Sequence, residues 1–402
     1  MNTSKFTAVL LFLTAVAFGQ QKITVENVFS GTFRAKGMDE LQSLKNTNQY
    51  TVLNVDMASR SMQIDLYDFA TLKKVSNLID TKNYKELADG IDSYTFDASE
   101  KKILIACNSS KIFRHSFTAD YFLYDIAAKS LTKLVDFQIQ EPTFSPDGTK
   151  IAYAKENNLY IYDVASKKST AVTTDGKKNA VINGITDWVY EEEFAFVRAF
   201  DWSKDSKKLA YIRFDESQVP EFSMSMFHKD LYPTIETFKY PKAGEKNSLV
   251  SLHIYDAAGN TSKKVDLGKY NDFYIARMQW TNDANVLSAQ VLNRHQDNLD
   301  LLFVDGNTAA AKVVLNEKDK AYVDVTDNLT FLKDNSFIWT SEKDGFNHIY
   351  VYDKNGKLKN QVTKGNWEVV SYYGFDEKTK TIFYQSTENG SINRDLYRIG
   401  LD

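Results

Sequence analysis

A strand phrase ending in Tyr-Asp or a near relative recurs along this chain, at Leu66-Tyr67-Asp68, Leu123-Tyr124-Asp125, Ile161-Tyr162-Asp163, Ile254-Tyr255-Asp256, Phe303-Val304-Asp305 and Val351-Tyr352-Asp353. Its aspartates lie 57, 38, 93, 49 and 48 residues apart. That spacing describes one unit of about 40 to 50 residues with a single long insertion. A second phrase stands upstream of most copies, an aromatic followed by a polar turn: Phe96-Asp97, Phe144-Ser145-Pro146-Asp147-Gly148, Trp202-Ser203-Lys204-Asp205, Trp280-Thr281-Asn282-Asp283 and Phe331-Leu332-Lys333-Asp334. An apolar strand such as Lys150-Ile151-Ala152-Tyr153 follows the turn. Each unit therefore reads as four antiparallel strands joined by Asp/Asn/Gly turns. Such a sheet cannot bury both faces alone, and stacking units radially buries them. The expected fold is all-β, a β-propeller with four-stranded blades. Roughly seven blades or part-blades run from about Phe29 to Asp402, and the last is read as incomplete at the C-terminus, because no closing strand follows Asp395-Leu396-Tyr397-Arg398-Ile399. More chain is expected after Asp402 in the natural product.

Composition agrees. Aromatic residues make up 13% of the chain, and flat side chains pack well on a pleated surface. With 49 Lys+Arg against 53 Asp+Glu the net charge is −4, which argues against nucleic acid or an acidic membrane as partner. The first nineteen residues combine a Lys5-bearing start, the apolar run Phe6 to Phe18 and a small-residue site at Ala17-Phe18-Gly19. They read as a secretory signal peptide, 1–19, with the mature chain starting near Gln20. The run is too short to span a bilayer, which takes about 20 residues. The protein is expected to be exported, periplasmic or secreted, with a lead-in segment 20–49 and the propeller over 50–402. Cys107 is the single cysteine and lies in a strand pattern, so an intrachain disulfide is excluded and packing is its expected role.

Two segments break the repeat between Asp163 and Asp256. One is Gly184-Ile185-Thr186-Asp187-Trp188-Val189-Tyr190-Glu191-Glu192-Glu193-Phe194. Three consecutive carboxylates repel one another, so the motif is either a solvated acidic turn or a site that awaits a cation. The other is the excursion from Glu216 to Asn247, long enough to be an arm or a binding loop.

These residues carry a resemblance. Asp187-Trp188-Val189-Tyr190-Glu191-Glu192-Glu193 is similar to the double-glutamate signature of the dipeptidyl peptidase IV family of serine exopeptidases. The likeness extends through Lys111-Ile112-Phe113-Arg114-His115-Ser116, Tyr240-Pro241-Lys242-Ala243-Gly244, Asn293-Arg294-His295-Gln296-Asp297-Asn298 and Thr363-Lys364-Gly365-Asn366-Trp367-Glu368-Val369. It implies an eight-bladed-type propeller capped by an α/β-hydrolase domain that removes Xaa-Pro or Xaa-Ala dipeptides from peptide N-termini. By the same resemblance, Glu192 and Glu193 clamp the substrate ammonium, Arg114 meets the carbonyl of the penultimate residue, and Glu191 is structural. The arm Glu216 to Asn247 resembles the family's dimerisation arm, which implies a homodimer. The sequence departs from the family in lacking propeller disulfides, in lacking a Phe-Arg pair between Tyr322 and Phe331, and in lacking the catalytic half.

A hydrolase nucleophile of this type sits in Gly-x-Ser-x-Gly, and no two of the 17 glycines are four positions apart. No catalytic residue is therefore assigned, and this chain alone is expected to be inactive. None of the five histidines has zinc-like spacing, and no phosphate or dinucleotide motif occurs, so no metal and no cofactor is expected. The leading expectation is the substrate-selecting propeller of a dipeptidyl peptidase IV-like enzyme. The alternative is a stand-alone exported propeller that binds peptides or proteins without catalysis. A generic carbohydrate- or protein-binding propeller would leave the acidic motif unexplained.

Overall fold

A computed structural model describes residues 22–401 apart from 36, 38 and 39; the expected leader, 1–19, lies outside the described residues. Two compact units are distinguished, one of residues up to Asn54 with Gln63–Asn77, the other of Val55–Met62 with the chain from Leu78 onward. The fold is all-β and of propeller type. In the first unit Leu41–Ser43 pairs antiparallel with Tyr50–Val52. The second unit builds four-stranded meanders over Ser93–Lys133, Gln140–Ala171, Phe273–Lys318 and Thr330–Gln361. A three-stranded sheet follows over Val369–Gly400.

The repeated aspartates have a physical cause. Each closes a strand and turns its carboxylate onto the backbone N–H groups of the next turn: Asp163 accepts from Ser166 N at 2.8 Å, Asp256 from Ala258 N at 2.9 Å, Asp305 from Thr308 N at 2.7 Å and Asp353 from Asn355 N at 2.8 Å. Backbone N–H groups of these turns, with that of Gly259 leading at Asp256 and that of Lys357 at Asp353, hold all four carboxyls below their ordinary range. The upstream phrase does the same at the preceding turn, where Asp97 accepts from Lys101 N and Lys102 N, both at 2.8 Å.

Within the second unit the cores lie between consecutive sheets. Leu104, Ala106 and Tyr121 pack against Ile151 and Tyr153 of the next sheet, and Ala152, Leu159 and Ile161 pack against Phe200, Trp202 and Leu209 of the one after. Each sheet thus covers the face its neighbour leaves bare. Cys107 is buried in this packing, and burial pushes its thiol up to about 11, as expected of a packed rather than a reactive cysteine. Among the described residues no helix is long and apolar enough to cross a membrane.

One sheet is built differently, and it carries the acidic motif. Its first edge strand is split: Val181–Asn183 pairs with Arg213–Asp215, and Phe200–Trp202 pairs with Leu209–Tyr211. The chain leaves the sheet at Gly184, whose φ of 74° is the left-handed region and whose Cβ would come within 2.9 Å of Leu159 Cδ1. A neck closes the loop where Thr186 N donates to Val197 O at 3.0 Å and Ala199 N to Gly184 O at 2.9 Å. From the same sheet the Glu216 to Asn247 excursion projects as an antiparallel hairpin, Glu221–Met226 with Thr234–Lys239.

Candidate functional site: an acidic helix facing an arginine loop

The motif folds as a short α-helix, Trp188–Glu193. Asp187 caps it, accepting from Tyr190 N at 3.0 Å, and Ser248 Oγ at the far root of the arm donates to the other Asp187 oxygen at 2.5 Å. Burial raises the Asp187 carboxyl above its ordinary value. The fully buried Tyr190 pins the helix. Its ring meets Phe194, Phe214 and Tyr274 at 5.1, 4.8 and 6.0 Å, and its hydroxyl accepts from Ile275 N at 3.0 Å.

Successive residues on a helix point about 100° apart, so the three glutamates fan out rather than crowd. Glu191 is 1% exposed, and its Oε1 accepts from His115 N at 2.6 Å and Ser116 N at 2.8 Å. Glu192 accepts from Arg114 Nε at 2.8 Å. Glu193 is exposed, and among the described residues no hydrogen bond or ion pair engages its carboxylate. As neighbours in sequence the three carboxylates would repel one another. The helix instead gives each a separate environment: backbone amides, a guanidinium, and solvent.

Arg114 sits in the tight loop between Lys102–Lys111 and Phe117–Asp125, closed by Ile112 N to Ser116 O at 2.9 Å. Its side chain is 70% exposed, and only Nε is engaged with Glu192. The two terminal nitrogens remain available to a ligand. Arg114 and Glu192 are thus bonded from positions 78 residues apart, and Glu193 follows at the exposed C-terminal end of the helix. Two carboxylates and a guanidinium in this arrangement offer acceptors for an ammonium and donors for a carbonyl oxygen.

The arm packs onto both halves of the site. Phe113 meets Phe238 at 5.6 Å, Trp188 meets Tyr240 at 4.4 Å, and Arg294 donates to Glu245 O at 2.8 Å. The sequence alone offers no partner for Glu191 and no role for Tyr190 or Ser248. An Asp three residues before an aromatic is a cap spacing that could have pointed to Asp187. Tyr322, in the stretch that lacks the Phe-Arg pair, is half-exposed and donates to Gln296 Oε1 at 3.2 Å. Burial raises its hydroxyl first, and the charges of Asp324 and Glu193 add to the effect, which puts it within electrostatic reach of the acidic helix.

His348 and His253 are built into the sheets, away from this site. His348 is fully buried with Nδ1 on Thr363 and Nε2 on Gly365 O. His253 stacks on Tyr211 at 5.1 Å. Among the described residues no group of three or more His, Cys, Asp or Glu could hold a metal ion.

Comparison with known proteins sets this site in a family. The family model described as "Dipeptidyl peptidase IV (DPP IV) N-terminal region" matches residues 97–402. Dipeptidyl aminopeptidase B of Saccharomyces cerevisiae is 29% identical over 95% of this chain and 49% of its own length. Dipeptidyl peptidase 4 of Trichophyton equinum is 31% identical over 78% of this chain and 42% of its own. Among solved structures, the crystal structure of Porphyromonas gingivalis dipeptidyl peptidase 4 superposes with a TM-score of 0.88 at 38% identity, over 94% of this chain and 54% of that one. The chain spans about half the length of the curated relatives it matches. The matching region includes Arg114, the acidic helix and the arm, and with it the chain belongs to the dipeptidyl peptidase IV family, in that family's N-terminal region.

Proposed function

We propose that this chain is the substrate-selecting propeller of a dipeptidyl peptidase that releases Xaa-Pro or Xaa-Ala from peptide N-termini. Glu192 and Glu193 receive the substrate ammonium, and Arg114 donates to the carbonyl of the penultimate residue. A clamp on the N-terminus measures length, because it fixes which peptide bond reaches the nucleophile. Acyl transfer by a Ser-His-Asp triad belongs to a hydrolase portion beyond the residues of this chain. The observation that carries the reading is the exposed, unengaged Glu193 carboxylate beside Glu192 and an arginine with two free terminal nitrogens.

The test is calorimetric. A tripeptide Ala-Pro-Phe with a free amine is expected to bind this chain about tenfold or more tighter than its N-acetyl form, since a charge-assisted contact is lost on acetylation. Glu193→Gln is expected to erase most of that preference. Equal affinities for the free and acetylated peptides would overturn the clamp.

The family resemblance of the arm leads us to propose a homodimer through Glu216 to Asn247. Its tip supports this, with Phe227 75%, Leu231 86% and Tyr232 79% exposed. Sedimentation of the native protein is expected to show a dimer that Leu231→Asp with Tyr232→Asp converts to monomer. A native protein that sediments as a monomer removes the proposal.

A further inference from the structure

A cavity of about 500 Å³ lies beneath the arm, bordered by its returning strand, the Gly176–Asn179 loop and the start of the acidic helix. That volume suits a small molecule. Glu216, at the near root of the arm, faces it. The residue is 5% exposed and its backbone is tied on both sides, N–H to Ala180 O at 2.9 Å and C=O from Val219 N at 3.0 Å. Its carboxylate has no hydrogen-bond partner among the described residues. Its oxygens open onto the cavity, where the donor of a ligand can reach them.

The charges around Glu216 say what that donor would be. Asp187 and Asp215 are like charges. Lys239 is the opposing one, and it is occupied by Val219 O at 2.8 Å and Glu221 at 3.6 Å. The buried part of the cavity is therefore acidic and calls for a cation. Ile182, Ile185 and Phe238 supply apolar wall. Lys177 and Lys178 line the cavity from exposed positions, and neither is in an ion pair among the described residues. Acid inside, apolar wall and exposed lysines are complementary to a small zwitterion with an apolar side chain.

We propose that the cavity beneath the arm is a second binding site, which takes a free amino acid or dipeptide with its ammonium on Glu216 and its carboxylate toward Lys177 and Lys178. The site shares no residue with the Arg114, Glu192 and Glu193 clamp, and it stands whether or not that clamp binds peptides.

The experiment silences the clamp first. The dipeptide Leu-Ala is titrated into this chain carrying Glu192→Gln and Glu193→Gln, at a pH near 8. Saturable binding is expected, weakened about tenfold by Glu216→Gln and equally by N-acetylation of the dipeptide. Lys177→Ala with Lys178→Ala changes only exposed residues, and it is expected to weaken Leu-Ala while leaving Leu-Ala amide unaffected. No saturable binding up to about 10 mM, or binding indifferent to both sets of substitutions, overturns the site.

Discussion

Replacing Glu191 by alanine is expected to destabilise the protein by about 3 kcal/mol and to free Arg114 from its register with Glu192. The carboxylate is 1% exposed and accepts two backbone N–H groups from a loop 75 and 76 residues upstream. Truncation removes the acceptor of both donors, one of them the buried Ser116 N–H, and a buried donor left without a partner costs about 1–3 kcal/mol. Those amides belong to His115 and Ser116, the residues that follow Arg114, so the effect reaches the clamp through the backbone. Glu191 is a positioning residue: its carboxylate is engaged by backbone amides and holds the loop that carries Arg114. Glu191→Gln keeps an acceptor oxygen and is expected to lose less than half as much stability. Denaturant midpoints for the two variants check the first claim, and affinity for Ala-Pro-Phe checks the second. An alanine variant as stable as the parent would mean that the two amides find other acceptors, and the staple would be dismissed.

Why this staple was invisible in the sequence shows where reading from residues stops. The blades were legible because their signal is local. An aspartate that caps a turn two or three residues away leaves its mark at every repeat, as Asp163, Asp256, Asp305 and Asp353 do. The split sheet and the arm were legible as interruptions of that period. The helix Trp188–Glu193 was not, because six residues give too short a window for an apolar period to emerge. Without the helix the three glutamates read as one repelling cluster, whereas its turn angle separates them. Glu192 and Glu193 were reached only through resemblance to a family. Glu191 was assigned to structure on the same ground, and its partner, a loop of backbone amides, has no side-chain signature at all. Glu216 was visible only as the residue where the arm begins, since burial of a single carboxylate by a distant hairpin strand leaves no pattern in its neighbours.

That carboxylate leads to the second large effect. Glu216→Gln is expected to stabilise the protein by about 3 kcal/mol at pH 8 and by almost nothing below pH 4.5. Burial, then the charges of Asp187 and Asp215, push the Glu216 carboxyl from 4.5 to about 7 against the opposing pull of Lys239. A raised carboxyl is favoured in its protonated form by the folded state, so its contribution is most favourable at low pH and is lost as pH rises from the unfolded value through about 7. His253 works in the other direction. Burial, and then Lys264 and Arg213, lower its imidazole from 6.5 to about 4, with Asp175 opposing. The folded state favours the neutral ring, so this stability is present above 6.5 and is lost as pH falls toward 4. In the parent the two slopes oppose each other. In Glu216→Gln the downward slope from this carboxyl is removed, and stability is expected to rise relative to the parent between pH 4.5 and 7 and then keep a constant gap. Unfolding midpoints measured across this range decide it, because parent and variant curves that run parallel would show that Glu216 does not titrate in the folded protein. A variant that is more stable at pH 8 and no longer binds Leu-Ala would show what the buried charge is for: the fold bears its cost, and the zwitterion that meets it supplies the missing donor.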